Sequence, residues 1–258
     1  HGHRIVVETG AGNAANFNDK EYSEAGAKIT YNVEEAFGCN IILKVAPPTL
    51  KEIEYIKPQS VLLSALQLKT QSKKYFETLA KKRITAFAFD YIKDEHGFYP
   101  VVKSLSEIAG TASVLIAAEL LSNSNNGNGL LVGNIGGVPP TDVVIIGAGT
   151  VGEFAARSAL GLGARVKVFD NSITKLRRLQ HCLNTPIYTS TIQPKTLLKA
   201  LMRCDIAIGA IRGQNRSPIM VTEDMVEQMK DGALIVDVSI DCGGCFETSK
   251  ITTHSEPT

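Results

Sequence analysis

Three glycines and two aspartates carry the chemistry that is legible in this sequence. Gly147, Gly149 and Gly152 stand in the order G-x-G-x-x-G within VVIIGAGTVG, and Asp170 closes the run ARVKVFD. Each has a mechanical task in a dinucleotide site. Gly147 permits a tight turn, Gly149 lets the backbone approach a pyrophosphate, and Gly152 lets a helix pack closely on the preceding strand. The free N–H groups and dipole at that helix start favour phosphate charge. Asp170, on the order of 20 residues downstream, can accept hydrogen bonds from a ribose 2′-OH. The competing interpretation is the glycine-rich turn of an ordinary βαβ unit, which leaves Asp170 without a task. The acid also favours NAD over NADP, because a 2′-phosphate would meet its negative charge. Lys175, Arg177 and Arg178 follow closely and weaken that preference a little.

In open parallel sheets, ligands lie beyond the carboxyl ends of the strands. Four such ends stand out: Gly147, Asp170, Ala210-Ile211 and Asp241. The first three suit pyrophosphate, ribose and the next stretch of cofactor. Asp241 then falls where a nicotinamide and a substrate would meet, as a candidate catalytic acid. Its competing interpretation is a turn aspartate closing a loop into Gly243-Gly244. Cys242-Gly-Gly-Cys245 is a CxxC, but a structural zinc site needs four ligands and no second pair follows. Nor does it open a helix after a first strand, as a thioredoxin-type motif does. Neither metal nor disulfide chemistry is assigned to it. His96 reads as part of a turn, His181 as late in a helix and His254 as part of a polar tail. None falls at a strand end, so each is read as solvated or capping.

The elements that must position these groups alternate along the chain. Strands are predicted at residues 4–8, 28–31, 40–45, 60–66 and 84–89, with helices over 19–24, from Thr49 and over 72–82. Alternation of this kind predicts a parallel sheet. The run NIILKV, 40–45, is apolar enough to be buried on both faces. Asp94 to Gly97 reads as a turn. Residues 105–122 form a long helix whose apolar side chains run nearly all round, which predicts burial between layers or domains. The glycine-rich stretch 123–140 is a loop, either a flexible linker or a segment passing near a cofactor cleft. Then come a strand over 141–146, a helix over 153–160, a strand over 164–169 and a helix over 172–182. Strands follow at 186–189, 205–210 and 233–240, with helices over 196–203 and from Thr222. The expected fold is α/β: two Rossmann-like domains with parallel sheets, joined by a long buried helix. The boundaries are 1–104 for a substrate-side domain, 105–122 for the connector and 123–258 for the dinucleotide domain.

The chain has 258 residues, 44% hydrophobic and 21% charged, which is ordinary for a globular protein of one or two domains. A net charge of +1 gives no electrostatic footprint for nucleic acid or anionic lipid. No apolar run such as Val143 to Ile146 approaches the length of a membrane span, and no signal peptide is visible. Five cysteines, an odd number, suggest a reduced cytoplasmic protein. A start at His1 just before a strand, and a stop in a polar segment, suggest a piece of a longer chain.

Several runs resemble the alanine dehydrogenases, relatives of the NAD-binding α subunit of proton-translocating transhydrogenase. They are ILKV (Ile42 to Val45), LSEIAG (Leu105 to Gly110), GVPP (Gly137 to Pro140), VVIIGAGTVG and ALGLGA (Ala159 to Ala164). Above all there is VDVSIDCGGCFETSKITTHSEPT (Val236 to Thr258), which favours the dehydrogenases. The resemblance covers essentially the whole chain. It implies a hexamer of two-domain subunits that oxidises L-alanine to pyruvate and ammonia with NAD. It implies cofactor contacts from Ser106, Thr150, Val151, Asp170, Lys175, Ile211 and the segment Val238, Ser239, Ile240, and a catalytic role for Asp241. It also marks two departures. A substrate-holding lysine is replaced by Ala46, and the general acid/base histidine by Gln67. An amide can donate a hydrogen bond but cannot shuttle a proton near neutral pH. Lys44, on the other strand face from the neighbours of Ala46, is not expected to substitute. The substrate-binding arginine that the resemblance implies belongs to a segment before His1. The alternative is an NAD(H)-binding protein of this fold, transhydrogenase-like or a sensor, without dehydrogenase turnover.

Overall fold

The computed structural model describes residues 2–68, 70–95, 99–213, 216–253 and 256–257. The chain divides into two compact units, His1–Val101 and Val102–Thr258.

The first unit alternates β1 (Val6–Glu8), α1 (Asp19–Glu24), β2 (Lys28–Thr30), α2 (Val33–Phe37), β3 (Ile41–Leu43), α3 (Leu50–Tyr55), β4 (Val61–Ser64), α4 (Lys73–Lys81) and β5 (Thr85–Ala88). Polar caps set the helix starts. Asn18, Asn32, Thr49 and Ser72 each accept a first-turn backbone N–H, and Asn18–Glu21 and Thr49–Glu52 are reciprocal capping boxes. Every strand pair is parallel, but there are two sheets: β1-β2, and β3-β4-β5 in that order. The single sheet expected from alternation is thus split, because a hydrophobic pattern does not say which strands pair. The expectation for NIILKV also fails. Only Ile42 is buried, at 6% exposure, whereas Ile41 and Leu43 are 58% and 77% exposed. Ile42 and Leu62 face a core with Ile53, Ile56, Tyr75 and Leu79. The alternate side chains point to the sheet's other face, which this core does not cover.

The second unit follows α5 (Pro100–Leu120) with β6 (Asp142–Ile146), α6 (Thr150–Gly161), β7 (Arg165–Phe169), α7 (Ile173–Leu183), β8 (Tyr188–Ser190), α8 (Pro194–Leu201), β9 (Ile206–Gly209), α9 (Glu223–Val226) and β10 (Leu234–Asp237). Its five parallel strands lie in the order β10-β9-β6-β7-β8. The chain winds outward from β6 to β8, then crosses back to β9 and β10 on the other side of β6. The direction of winding therefore switches between β6 and β9, and open parallel sheets take ligands beyond the carboxyl ends at such a switch. Val143 and Ile145 face the α5, α6 and α7 side chains, while Val144 and Ile146 face those of α8. Burial on both faces makes β6 a continuous apolar run. Each such side chain contributes roughly 1.5–3 kcal/mol.

The long helix buries one stripe, Gly110, Ser113, Val114 and Ala117, against this unit. It is not buried all round: Leu105, Ile108 and Leu115 are each more than half exposed. Composition could not distinguish a covered apolar face from a bare one. The helix is long and apolar enough to cross a membrane, but its stripe belongs to the core of the sheet. A Cβ on Gly110 would lie 2.3 Å from the Val151 carbonyl, so this glycine lets α5 approach the start of α6. The second half of the 123–140 loop is fastened at the amino end of β6. Thr141 Oγ1 donates to the Leu131 carbonyl at 2.9 Å and accepts from Gly133 N at 3.1 Å. That is the edge of the sheet opposite the strands' carboxyl ends.

The same amino edge holds an ion network. Arg165 Nε donates to Asp142 Oδ1 at 2.6 Å, Lys167 lies 3.8 Å from it, and Lys230 pairs with Asp205 at 2.6 Å. Asp142 N donates to Asp205 Oδ2 at 2.8 Å. Burial pushes the Asp142 carboxyl up, but the Arg165 hydrogen bond and the Lys167, Arg165 and Lys230 charges outweigh it and hold the group below its usual range. A depressed carboxyl contributes stability that is present above the unfolded-state pKa of about 3.9 and is lost as pH falls through the folded value. Thermal melts in acid should therefore show a shallower loss of Tm below about pH 4 for Asp142→Asn than for the parent.

Candidate functional site

Hydrogen bonds align the carboxyl ends of the second sheet into one row. Gly147 N donates to Phe169 O at 2.7 Å, Ala210 N to Ile146 O at 2.8 Å and Val238 N to Gly209 O at 2.9 Å. Asp170, Gly147, Ala210 and Val238 are thus the first residues beyond β7, β6, β9 and β10. Three of the four ends read from the sequence stand here. The fourth is corrected: β10 stops at Asp237, and Asp241 rides on the following 3₁₀ turn, Ile240–Cys242. The Asp237 carboxylate ends the strand by accepting N–H groups of its own loop. Sequence reasoning passed over Asp237; an acid inside the apolar run ALIVDVSI was the available signal.

Each glycine can be tested by the side chain it lacks. Gly147 has φ 118°, and a Cβ there would sit 2.4 Å from the Ala210 carbonyl. One on Gly152 would sit 1.9 Å from Gly147 O. Both positions therefore require glycine for the protein's own packing. A Cβ on Gly149 would meet nothing within 4 Å. That open space is what the close approach of a ligand to the backbone needs. Helix α6 starts at Thr150, not at Glu153 as the sequence suggested, and its cap Gly149 has no side chain to bond the first-turn amides. Thr150, Val151 and Gly152 thus present N–H groups without intrahelical acceptors, a ready anion site.

Asp170 is built into this turn. It is 7% exposed, with Oδ2 accepting from Ala148 N at 2.8 Å and Oδ1 from Ser172 N at 2.7 Å. A carboxylate offers about four acceptor sites, so two remain for further donors. Lys175 is exposed in the first turn of α7. Arg178 is engaged elsewhere, donating to Ala148 O at 3.1 Å and pairing with Glu153 at 3.0 Å. Asp170→Ala should weaken NADH binding by about 10–100-fold, the loss of one or two charge-assisted hydrogen bonds. Its Tm should also fall, because Ala148 N–H and Ser172 N–H lose their acceptor. Fluorescence titration reads the affinity, and an unchanged Kd removes Asp170 from the cofactor assignment.

The remaining predicted residues lie elsewhere in the second unit or in the first unit. Ser106 is half-buried, one helical turn before Gly110 on the face of α5 that meets α6. A Cβ on Gly147 would lie 3.1 Å from Ile211 Cγ1, and the Ile211 carbonyl accepts from Ser217 Oγ at 2.9 Å. Ser239 is buried between Val238 and Ile240, and Asp241 is exposed. Gln67 belongs to the first unit, beyond β4, exposed and at φ 48°. Its backbone is held by Asp90, which accepts from Leu66 N and Gln67 N at 3.2 Å each. Asp90 is a support that sequence reasoning missed. His181 is exposed late in α7, while His96 and His254 lie outside the described residues. Burial, then the Asp237 charge, pushes the Cys245 thiol up to about 12, so it stays protonated rather than acting as a thiolate.

Residues 1–109 match the family described as alanine dehydrogenase/PNT, N-terminal domain, and residues 113–258 match its C-terminal domain. The chain belongs to the alanine dehydrogenase/PNT family. It is 38% identical to an alanine dehydrogenase of Staphylococcus epidermidis, across all of this chain and 70% of that protein. A solved L-alanine dehydrogenase structure superposes with a TM-score of 0.93 at 34% identity, covering 99% of this chain and 71% of that one. A transhydrogenase structure from Sinorhizobium meliloti gives a TM-score of 0.82 at 25% identity, covering 96% and 73%.

Within this alanine dehydrogenase/PNT chain, the segment after β3 is tied to its neighbours. Ala46 is exposed, and its carbonyl accepts from Ser64 Oγ at 2.9 Å. Lys44 is tied to Glu52 at 2.9 Å, the acid that also closes the α3 capping box. Its charge is thereby committed to holding α3.

Proposed function

We propose that this chain is an NAD-dependent amino-acid dehydrogenase that oxidises L-alanine to pyruvate and ammonia. The observation that carries this is the open backbone at Gly149 beside the buried carboxylate of Asp170, in a family whose relatives include alanine dehydrogenases. In this reading residues 1–104 serve the substrate, 105–122 connect, and 123–258 bind NAD. The first-turn amides of α6 hold the pyrophosphate, Asp170 takes the ribose hydroxyls, and Ser106, Lys175, Ile211 and Val238 to Ile240 line the rest of the dinucleotide. When bound, NAD supplies the hydride acceptor. Asp241 accepts a proton from the substrate ammonium, and later, through water, manages the protons of imine hydrolysis. Gln67 donates a hydrogen bond to the substrate carbonyl or carboxylate. The bare apolar stripe of α5, Leu105, Ile108 and Leu115, supports a homo-oligomer, with a hexamer as the expected state. An odd number of cysteines, five, is consistent with a cytoplasmic setting.

A second reading keeps the cofactor and drops the turnover: an NAD(H)-binding subunit or sensor. Ala46 and Gln67 favour it, since neither supplies a charge or a mobile proton. Mixing the purified protein with L-alanine and NAD and following the NADH absorbance separates the two. A rise supports the dehydrogenase. No rise, with NADH binding intact by fluorescence, leaves the second reading.

A further inference from the structure

Asp237 has more partners than the end of a strand requires. Its Oδ1 accepts from Ser239 N at 3.1 Å and Ser239 Oγ at 2.5 Å, and its Oδ2 accepts from Cys245 N at 2.8 Å and Phe246 N at 3.1 Å. The Cys245 thiol lies 3.8 Å from Oδ1. Both ends of the 239–246 loop are therefore tied to one side chain, and Asp241 lies between the ties. Neighbouring β9 closes the space behind it: a Cβ on Gly209 would lie 2.6 Å from Cys245 Sγ and 2.7 Å from Asp237 Oδ1. Only an acceptor-only group suits this neck. An asparagine has one acceptor oxygen, and its NH₂ would face either the Ser239 donors or the Cys245 and Phe246 amides.

We infer that Asp237 is a positioning residue, which gathers the ends of the 239–246 loop and thereby holds Asp241 and the Val238 to Ile240 segment in place. The inference rests on the proposed role of Asp241. Asp237 itself takes no part in proton transfer, because its lone pairs are committed to the loop.

The test uses the full chain and two independent perturbations, Asp237→Asn and Gly209→Ala, each alone and combined with Asp241→Asn. L-alanine turnover is measured per NADH-binding site, so that unfolded protein does not count. Both single variants are expected to lose on the order of tenfold or more in kcat, since small misplacements of a reacting group are costly. Added to Asp241→Asn, either should cost less than about twofold more, because the group they position is already gone. Amide hydrogen exchange should rise across 239–246 and stay unchanged in β6. Losses that multiply with Asp241→Asn, or unaltered exchange in the loop, overturn the inference. If Asp237→Asn does not fold, Gly209→Ala decides by the same readouts. If the parent chain binds NADH but shows no turnover, the dehydrogenase reading has failed instead. Loop exchange in the variants then decides whether Asp237 sets the loop.

Discussion

Asp241→Asn is expected to lower kcat for L-alanine by about 10²–10⁴-fold while leaving NADH affinity within about threefold, the usual cost of removing a positioned acid/base group. The substitution keeps shape and hydrogen-bonding capacity and removes only the ability to take a proton. Asp241 is exposed on its 3₁₀ turn, and exposed changes of this kind usually stay within about 0.5 kcal/mol of the parent stability. A lost rate would therefore not be lost protein. The signature is the reverse of that for Asp170→Ala, which should impair binding first. Steady-state kinetics in alanine, with NADH fluorescence alongside, distinguish the two. If kcat is unchanged, Asp241 is the turn residue that closes the loop into Gly243-Gly244, and the proton must leave by another route.

What could be read from the sequence, and what could not, divides along the range of the forces involved. The need for glycine at Gly147 and Gly152 was legible because the constraint is local. Strand, turn and helix start lie within a few residues, and the built Cβ contacts at Gly147 and Gly152 express the same steric demand. The end of β10 was not legible. ALIVDVSI continues its apolar alternation past the point where the strand stops. What stops it includes bonds from Asp237 to amides eight and nine residues later. Gln67 illustrates the same limit. Its position after β4 was readable, but its left-handed backbone depends on Asp90, far along the chain. The bare sides of Ile41, Leu43 and the α5 stripe were misjudged because apolar composition reports a tendency to be covered, not the cover itself.

Gln67→His is expected to raise L-alanine turnover by about 10²-fold or more, since an imidazole brings general acid/base catalysis that an amide lacks. The backbone should accept the change. Position 67 lies at φ 48°, a region where histidine is among the enriched non-glycine residues. Its N–H bond to Asp90, and the Thr70 N–H bond to its carbonyl at 2.9 Å, do not involve the side chain. Ala46→Lys addresses the other departure. Ala46 is exposed, and Lys44 is held by Glu52 and cannot supply the charge, so the new ammonium should lower KM by pairing with the substrate carboxylate. The two changes should act on different constants, kcat for Gln67→His and KM for Ala46→Lys. The histidine also predicts a pH signature: a group acting as base is protonated below its pKa, so the gain in kcat should fade as pH drops below about 6.5. A variant that folds and binds NADH but gains no rate and no acid limb would mean that proton transfer does not pass through this position. The chain would then be read as a binder of NAD(H) that has left turnover behind.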